Sequence, residues 1–412
     1  MLELGEYIDR KLVHEIHTSG RKSFRTCRRS WDWVFNKQYY PITTAKPLEF
    51  GSAYHKAMEV YYDPKTWGWD AELRQASAIA AFEEMCEKQK AKALIESMSL
   101  DADVEADYND RVDLGVGMLR YYFSDVAPVV DKGWKPIYVE VGFMVPIPNP
   151  YTGEEAIWCK CDQCWGRWHT QNSGWHPGME IPEYDPVDRA NFKGLPVVYA
   201  GRIDMMAEDE QGNYYLFDWK TAARLMENHE YLYLDDQIAS YCWAMWILGI
   251  DVKGFIYHEQ RKAYPIPPKK NKQQRLGCWY SVSKSEPYEY ELYKKTVEEG
   301  DPQAYAQGLY NDMLMHLQSA NARFHNRFRV IKSPDEFAEI GRNIGLEALE
   351  MTDPNLALYP SPGTFKCSFC SFQTPCMEKN TGGDYQYALD TMFEQREAYY
   401  VRNEPSTDKV DR

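Results

Sequence analysis

The stretch "PVVYAGRIDMMAEDEQGNYYLFDWKT", residues 196–221, constrains this chain more than any other. Two apolar, β-prone runs flank the turn segment Asp209–Asn213, which predicts a β-hairpin. Side chains alternate along a strand, so Asp218 and Lys220 point together while Trp219 points to the other face. Asp204 sits near the end of the first strand, just ahead of the turn. A lone Asp-x-Lys is usually a solvated ion pair, so its meaning depends on what the rest of the chain brings to that face.

The flanking segments supply more polar chemistry. "DDQIASYCWAMWILG" (235–249) reads as an apolar helix ended by Gly249, and Gln237 and Tyr241 at i and i+4 share one of its faces. "EFGSAYHKAMEVYY" reads as an amphipathic helix with His55 and Glu59 one turn apart. Residues 70–127 read as helical with Pro128 as a stop, "KPIYVEVGFMVPI" (135–147) as a strand, and 148–196 as an irregular insertion rich in Pro, Gly and Cys. "KGFIYHEQ" and "CWYSVSK" read as strands separated by a basic, Pro-rich loop at 263–277. Long helices are expected over 288–320 and 334–350, with a polar peripheral segment from 381 and a disordered end at "NEPSTDKVDR". This order predicts an α/β fold: a mixed sheet core flanked by helices, with a helical insertion at 63–130 and a Cys/His-containing insertion at 148–196.

A length of 412 residues with 44% hydrophobic content supports a large core. No run of eighteen apolar residues or apolar leader occurs, so a soluble intracellular protein is expected, with no membrane partner. Disulfides are then not expected among its ten cysteines, and the clustering of some of them raises the question of metals. A net charge of -15 argues against a general polyanion-coating protein. Local basic tracks remain available at "RKSFRTCRR" (21–29), at "KNKQQR" and its neighbours (269–275) and at "RFHNRFRVIK" (323–332).

The chemistry that needs His55, Asp204, Asp218 and Lys220 together is metal-assisted phosphodiester hydrolysis. The two aspartates would be primary ligands of Mg²⁺ or Mn²⁺ with His55 completing the shell, and the imidazole favours Mn²⁺. Lys220 would stabilise hydroxide and the charge developing on phosphorus.

In "GSAYH", "GRID", "DWK" and "QIASY", taken in that order, the chain resembles the PD-(D/E)XK nucleases, in the branch of RecB-type nuclease domains and CRISPR-associated exonucleases. The resemblance implies a restriction-endonuclease-like core over 51–290, preceded by a segment 1–50 and followed by helices and a cysteine loop (291–380) and a tail (381–412). It implies that His55, Asp204, Asp218 and the backbone carbonyl of Trp219 bind metal, that Lys220 is catalytic, and that Gln237 and Tyr241 position water or DNA. The reaction implied is exonucleolytic cleavage of DNA, in the cytoplasm of a bacterium or a phage-infected host. Insertions after His55 and at 148–196 exceed the family pattern.

"PSPGTFKCSFCSFQTPC" supplies Cys367, Cys370 and Cys376, and Cys27 in "FRTCRRSW" is the candidate fourth ligand. One N-terminal and three C-terminal cysteines resemble the ligand set of a 4Fe-4S cluster in the RecB-like branch. Structural zinc is the rival, and Cys86, Cys242 and Cys278 read as ordinary buried thiols. In "WCKCDQCWGRWH", Cys159, Cys161 and Cys164 with His169 either hold Zn²⁺ or merely pack. No G-x-x-x-x-G-K-[ST] loop is present, so a helicase or recombination protein would act in trans. Clustered Trp and Tyr residues suit unpaired bases, which favours single strands or frayed ends. The alternative to an enzyme is a non-catalytic DNA-end-binding or assembly module on the same fold.

Overall fold

The computed structural model describes residues 3–4, 14–42, 46–97, 102–148, 150, 156–159, 168–170, 194–319, 322–353 and 356–395. Its spine is a mixed sheet. The strands are β1 (His14–Ile16), β2 (Lys135–Pro146), β3 (Gly194–Glu208), β4 (Tyr214–Ala222), β5 (Val252–Arg261) and β6 (His325–Val330). The main path runs from Glu3–Leu4 through β2, β3, β4 and β5 to β6. The β2–β3, β3–β4 and β5–β6 pairs are antiparallel, and β4 lies parallel to β5. Parallel neighbours need a crossover, and the connecting helix supplies it.

The helices that matter for the site are α1 (Thr18–Thr26), α2 (Lys46–Tyr61), α3 (Ala71–Ser97), α4 (Ala102–Tyr121), α5 (Asp236–Ile247) and α6 (Pro334–Met351). Two apolar layers sandwich the sheet. On one face Val141, Phe143, Ile203, Leu216 and Phe255 pack with Trp243 of α5 and Ile344 of α6. On the other, Met205, Tyr215, Phe217, Trp219 and Ile256 pack with Tyr54 of α2, Phe82 of α3 and Met118 of α4. The mixed sheet flanked by helices is the α/β architecture expected from the sequence, and it is consistent with a restriction-endonuclease-like fold.

Two details of β2 and β3 prepare the site. Along β2, Val139 belongs to the α2–α4 layer, whereas Val141, Phe143 and Val145 belong to the α5–α6 layer. Residues 139 and 141 would share a face in an unbroken strand, so the alternation slips at Glu140, whose φ is +48°. The same slip occurs in β3 between Ile203 and Met205, and Val139↔Met205 and Val141↔Ile203 are paired. Glu140 and Asp204 thus stand opposite each other where both strands change phase.

Beyond Phe217 the β3–β4 ladder ends, and β1 runs parallel to β3 at Val197–Tyr199 instead. The sheet forks there.

Several expected boundaries differ. Pro128 does not stop the helical run; it starts the short helix Ala127–Val130, where its missing N–H is harmless. Residues 270–275, expected as loop, form a strand paired antiparallel with Cys278–Tyr280, and no strand extends through the rest of "CWYSVSK". The 288–320 segment is three helices, Tyr290–Gly300, Pro302–Ala306 and Asn311–Leu317, broken by Asp301–Pro302 and by Gly308 at φ +74°. They enclose a separate small core of Cys278, Tyr288, Tyr293, Val297 and Tyr310. The basic stretch 323–332 contains the sheet strand β6, with Arg327 donating to Asp131 at 2.6 Å inside the molecule. Near the other end of the sequence, Tyr385–Met392 is a helix, and Phe393–Gln395 pairs with Tyr39–Pro41.

Candidate active site

The fork leaves backbone groups of β4 without ladder partners, and an unpaired buried N–H is costly. Asp204 answers that need: its Oδ2 accepts the Trp219 N–H at 3.1 Å. The same carboxylate lies 3.3 Å from His55 Nδ1, delivered by α2, and Glu140 Oε1 lies 3.9 Å from that nitrogen. His55, Glu140 and Asp204 therefore converge, with ligand atoms within 4.8 Å of one another. Among the described residues it is this group, and not a set containing Asp218, that meets so closely.

Asp218 lies one strand over and is differently engaged. Lys220 Nζ donates to its Oδ1 at 2.6 Å, and Gln237 Nε2 donates to the same oxygen at 3.2 Å. Gln237 is placed by the first turn of α5, where the Asp235 side chain caps the N–H groups of Gln237 and Ile238. Trp219 points the other way, buried and stacked on Tyr62 at 5.0 Å between ring centroids. Tyr241, one turn beyond Gln237, packs edge-on against Phe143 at 5.1 Å. Glu59 is paired with Lys56 at 2.8 Å and stands near enough to Glu140 to raise its pKa.

The electrostatics follow from burial and from carboxylate crowding. Burial alone would lower the His55 pKa, but Asp204 outweighs it and raises the imidazole to about 9. Burial, and then the Asp204 charge, pushes Glu140 up to about 7. Asp204 itself is held low, because His55 overcomes the penalty of burial. Asp218 is raised to about 6 by burial, against the pull of Lys220, and Lys220 is raised by its two aspartate neighbours despite burial. Arg202 also approaches the other Glu140 oxygen at 3.5 Å, and the convergence of one imidazole with two carboxylates is a donor set that suits a divalent metal.

Glu140 was not anticipated. Its only sequence signal is an acid inside the apolar run "IYVEVGF". What gives it meaning is its place opposite Asp204, which depends on strand register.

A family comparison agrees with this geometry. The model of the PD-(D/E)XK nuclease superfamily matches residues 18–377. The chain belongs to that superfamily. The superfamily match spans β2 to β6, α2, α5 and every residue of the site. No curated protein matches the chain. Among the described residues no helix is long and apolar enough to cross a membrane.

The cysteines fall into two groups. Ser361 N–H points at Cys27 Sγ at 3.5 Å, Gly363 N–H at Cys367 Sγ at 3.5 Å, and Arg29 Nη1 at Cys376 Sγ at 3.3 Å. Burial raises the Cys370 pKa, and so does the charge of Cys27, Cys367 and Cys376 nearby. Among the described residues these thiols do not converge as tightly as His55, Glu140 and Asp204. Cys86, Cys242 and Cys278 are buried, as expected for packing thiols. The expected zinc set lies outside the described residues for Cys161 and Cys164, and the side chains of Cys159 and His169 are likewise not described.

Proposed function

We propose that this chain is a metal-dependent DNA exonuclease. The observation that carries the reading is the convergence of His55, Glu140 and Asp204 beside the Asp218–Lys220 pair. His55, Glu140 and Asp204 would hold Mg²⁺ or Mn²⁺, with Asp218 and the carbonyl of Trp219 adjacent. When bound, such an ion lowers the pKa of water and polarises phosphate. Asp218 holds the Lys220 ammonium at the site, where it can stabilise negative charge developing on a phosphoryl oxygen. Gln237 fixes the Asp218 carboxylate from the helix side, and Tyr241 one turn on supports the α5 face.

We further read Cys27, Cys367, Cys370 and Cys376 as the ligands of a 4Fe-4S cluster, in the RecB-like branch. Four thiols from two distant segments fit the donor set, and N–H groups directed at sulfur suit thiolate ligands. A motor or recombination protein would act in trans.

End-labelled single- and double-stranded DNA incubated with Mn²⁺ tests the reaction. Wild type should shorten the labelled strand, and Lys220→Ala should reduce cleavage by about 10²-fold or more with metal binding retained. Full cleavage by Lys220→Ala would remove the lysine from the chemistry. No cleavage by wild type on either substrate would favour the non-catalytic end-binding module.

A further inference from the structure

A cleft of about 670 Å³ opens beside the site, between the end of the sheet and the small 263–322 unit. From the sheet side it is lined by Arg224, Arg261 and the ring of Phe328, and from the other side by Lys284 and Tyr288, with Arg323 at the junction. Arg224 follows Lys220 by four residues, so their Cα atoms are at most about 14 Å apart. The loop between them is tied to the site. Met226 N–H donates to Glu259 at 2.6 Å, and Glu259 is the register partner of Lys220. Ala222 is the register partner of Arg261, so the cleft begins where the catalytic strand ends.

Its charge is unbalanced. Among the described residues Arg224, Arg261 and Arg323 form no ion pair with a carboxylate, although Arg261 lies over the Phe324 ring. Lys284 is paired with Asp312. The cleft's carboxylates are Glu227 and Glu286, and Glu286 is already bound by Lys269 at 2.8 Å. At the wall, exposed His229 stacks on Phe328 with 4.5 Å between centroids and 13° between planes. The contrast with the 21–29 segment is instructive: Arg21 and Arg25 are both engaged by Asp236 and Glu347, and Arg28 by Glu350.

We infer that this cleft binds one unpaired strand of the substrate next to the scissile bond. Arg224, Arg261 and Arg323 take its phosphates, and the outer face of His229 stacks on a base. A cleft this size admits a single strand, whereas a duplex would need an open groove. The inference takes its substrate class from the nuclease reading, so the test separates the two.

The test is binding of fluorescein-labelled oligothymidylate to the full chain in EDTA, where no metal chemistry occurs. Arg224→Gln/Arg323→Gln should bind about tenfold more weakly and lower the salt slope by about 1.4, two contacts at about 0.7 each. His229→Ala should weaken binding of the oligothymidylate and leave an abasic strand of equal length unaffected. Unchanged affinity in the arginine variant, or no binding by wild type, would overturn the assignment. So would an equal loss on a duplex with both ends closed by hairpins. Hydrolysis of bis(p-nitrophenyl) phosphate by wild type with Mn²⁺ reports separately on the nuclease reading: if it fails while the binding difference stands, the cleft survives and the enzyme does not.

Discussion

At the level of single residues, the site is governed by proton competition. In the metal-free protein His55, raised to about 9, keeps its proton through the neutral range, and Glu140, raised to about 7, loses its own within that range. A cation ligated by them must displace those protons. Mn²⁺ affinity should therefore rise with pH between about 6 and 9, and calorimetry in two buffers of different ionisation heat should show proton release. A pH-independent affinity would remove His55 from the ligand set. Glu140→Gln keeps the shape and removes the charge, and it should weaken Mn²⁺ binding by about tenfold or more in the same titration. The four residues His55, Asp204, Asp218 and Lys220 were legible because each belongs to a short local motif. Glu140 was not, because an acid in an apolar strand says nothing until its neighbour across the ladder is known.

At the level of elements, local rules succeeded where the signal was local. The β3–β4 hairpin follows from two apolar runs around Asp209–Asn213, and Asp209 indeed accepts the N–H groups of Gln211 and Asn213. The break at Asp301–Pro302 was equally present in the sequence but was overridden by helical composition on both sides. Strand β6 is hidden for another reason: "HNRFRV" has the look of a solvated basic track, yet Arg327 meets the buried Asp131 and Val330 packs in the core beside the partly buried Phe328. Helix α5 offers a direct check on how elements serve the site. Asp235→Ala removes the cap from the turn that presents Gln237, and it should cost about 1 kcal/mol in urea unfolding, with Asp235→Asn close to wild type. No change in the alanine variant would show that the tertiary contacts of α5 hold that turn alone.

At the level of the whole molecule, segments far apart in sequence are locked together. Arg21 is almost completely buried and bridges Asp236 of α5 at 2.9 Å and Glu347 of α6 at 2.5 Å. Removing it leaves the two carboxylates, which retain some solvent contact, with only the half-exposed Arg25 at 3.1 and 3.2 Å. Arg21→Ala should therefore destabilise by roughly 2–3 kcal/mol, below the range for a fully buried pair. Arg21→Lys should not restore it, since one ammonium cannot serve both acids in the same geometry. Equal urea midpoints for Arg21→Lys and wild type would mean that charge alone suffices. Close by, Arg29 reaches Asn380 at 2.7 Å, and Cys27 meets Ser361 across 334 residues of chain. During synthesis at about 5–20 residues per second, Cys27 and Arg29 must wait roughly 20 to 70 seconds after they are made before those partners exist. One of the first segments made is thus among the last to be seated, and a chain ending before residue 361 would hold the sheet with its carboxylates assembled but leave Cys27 and Arg29 without these partners.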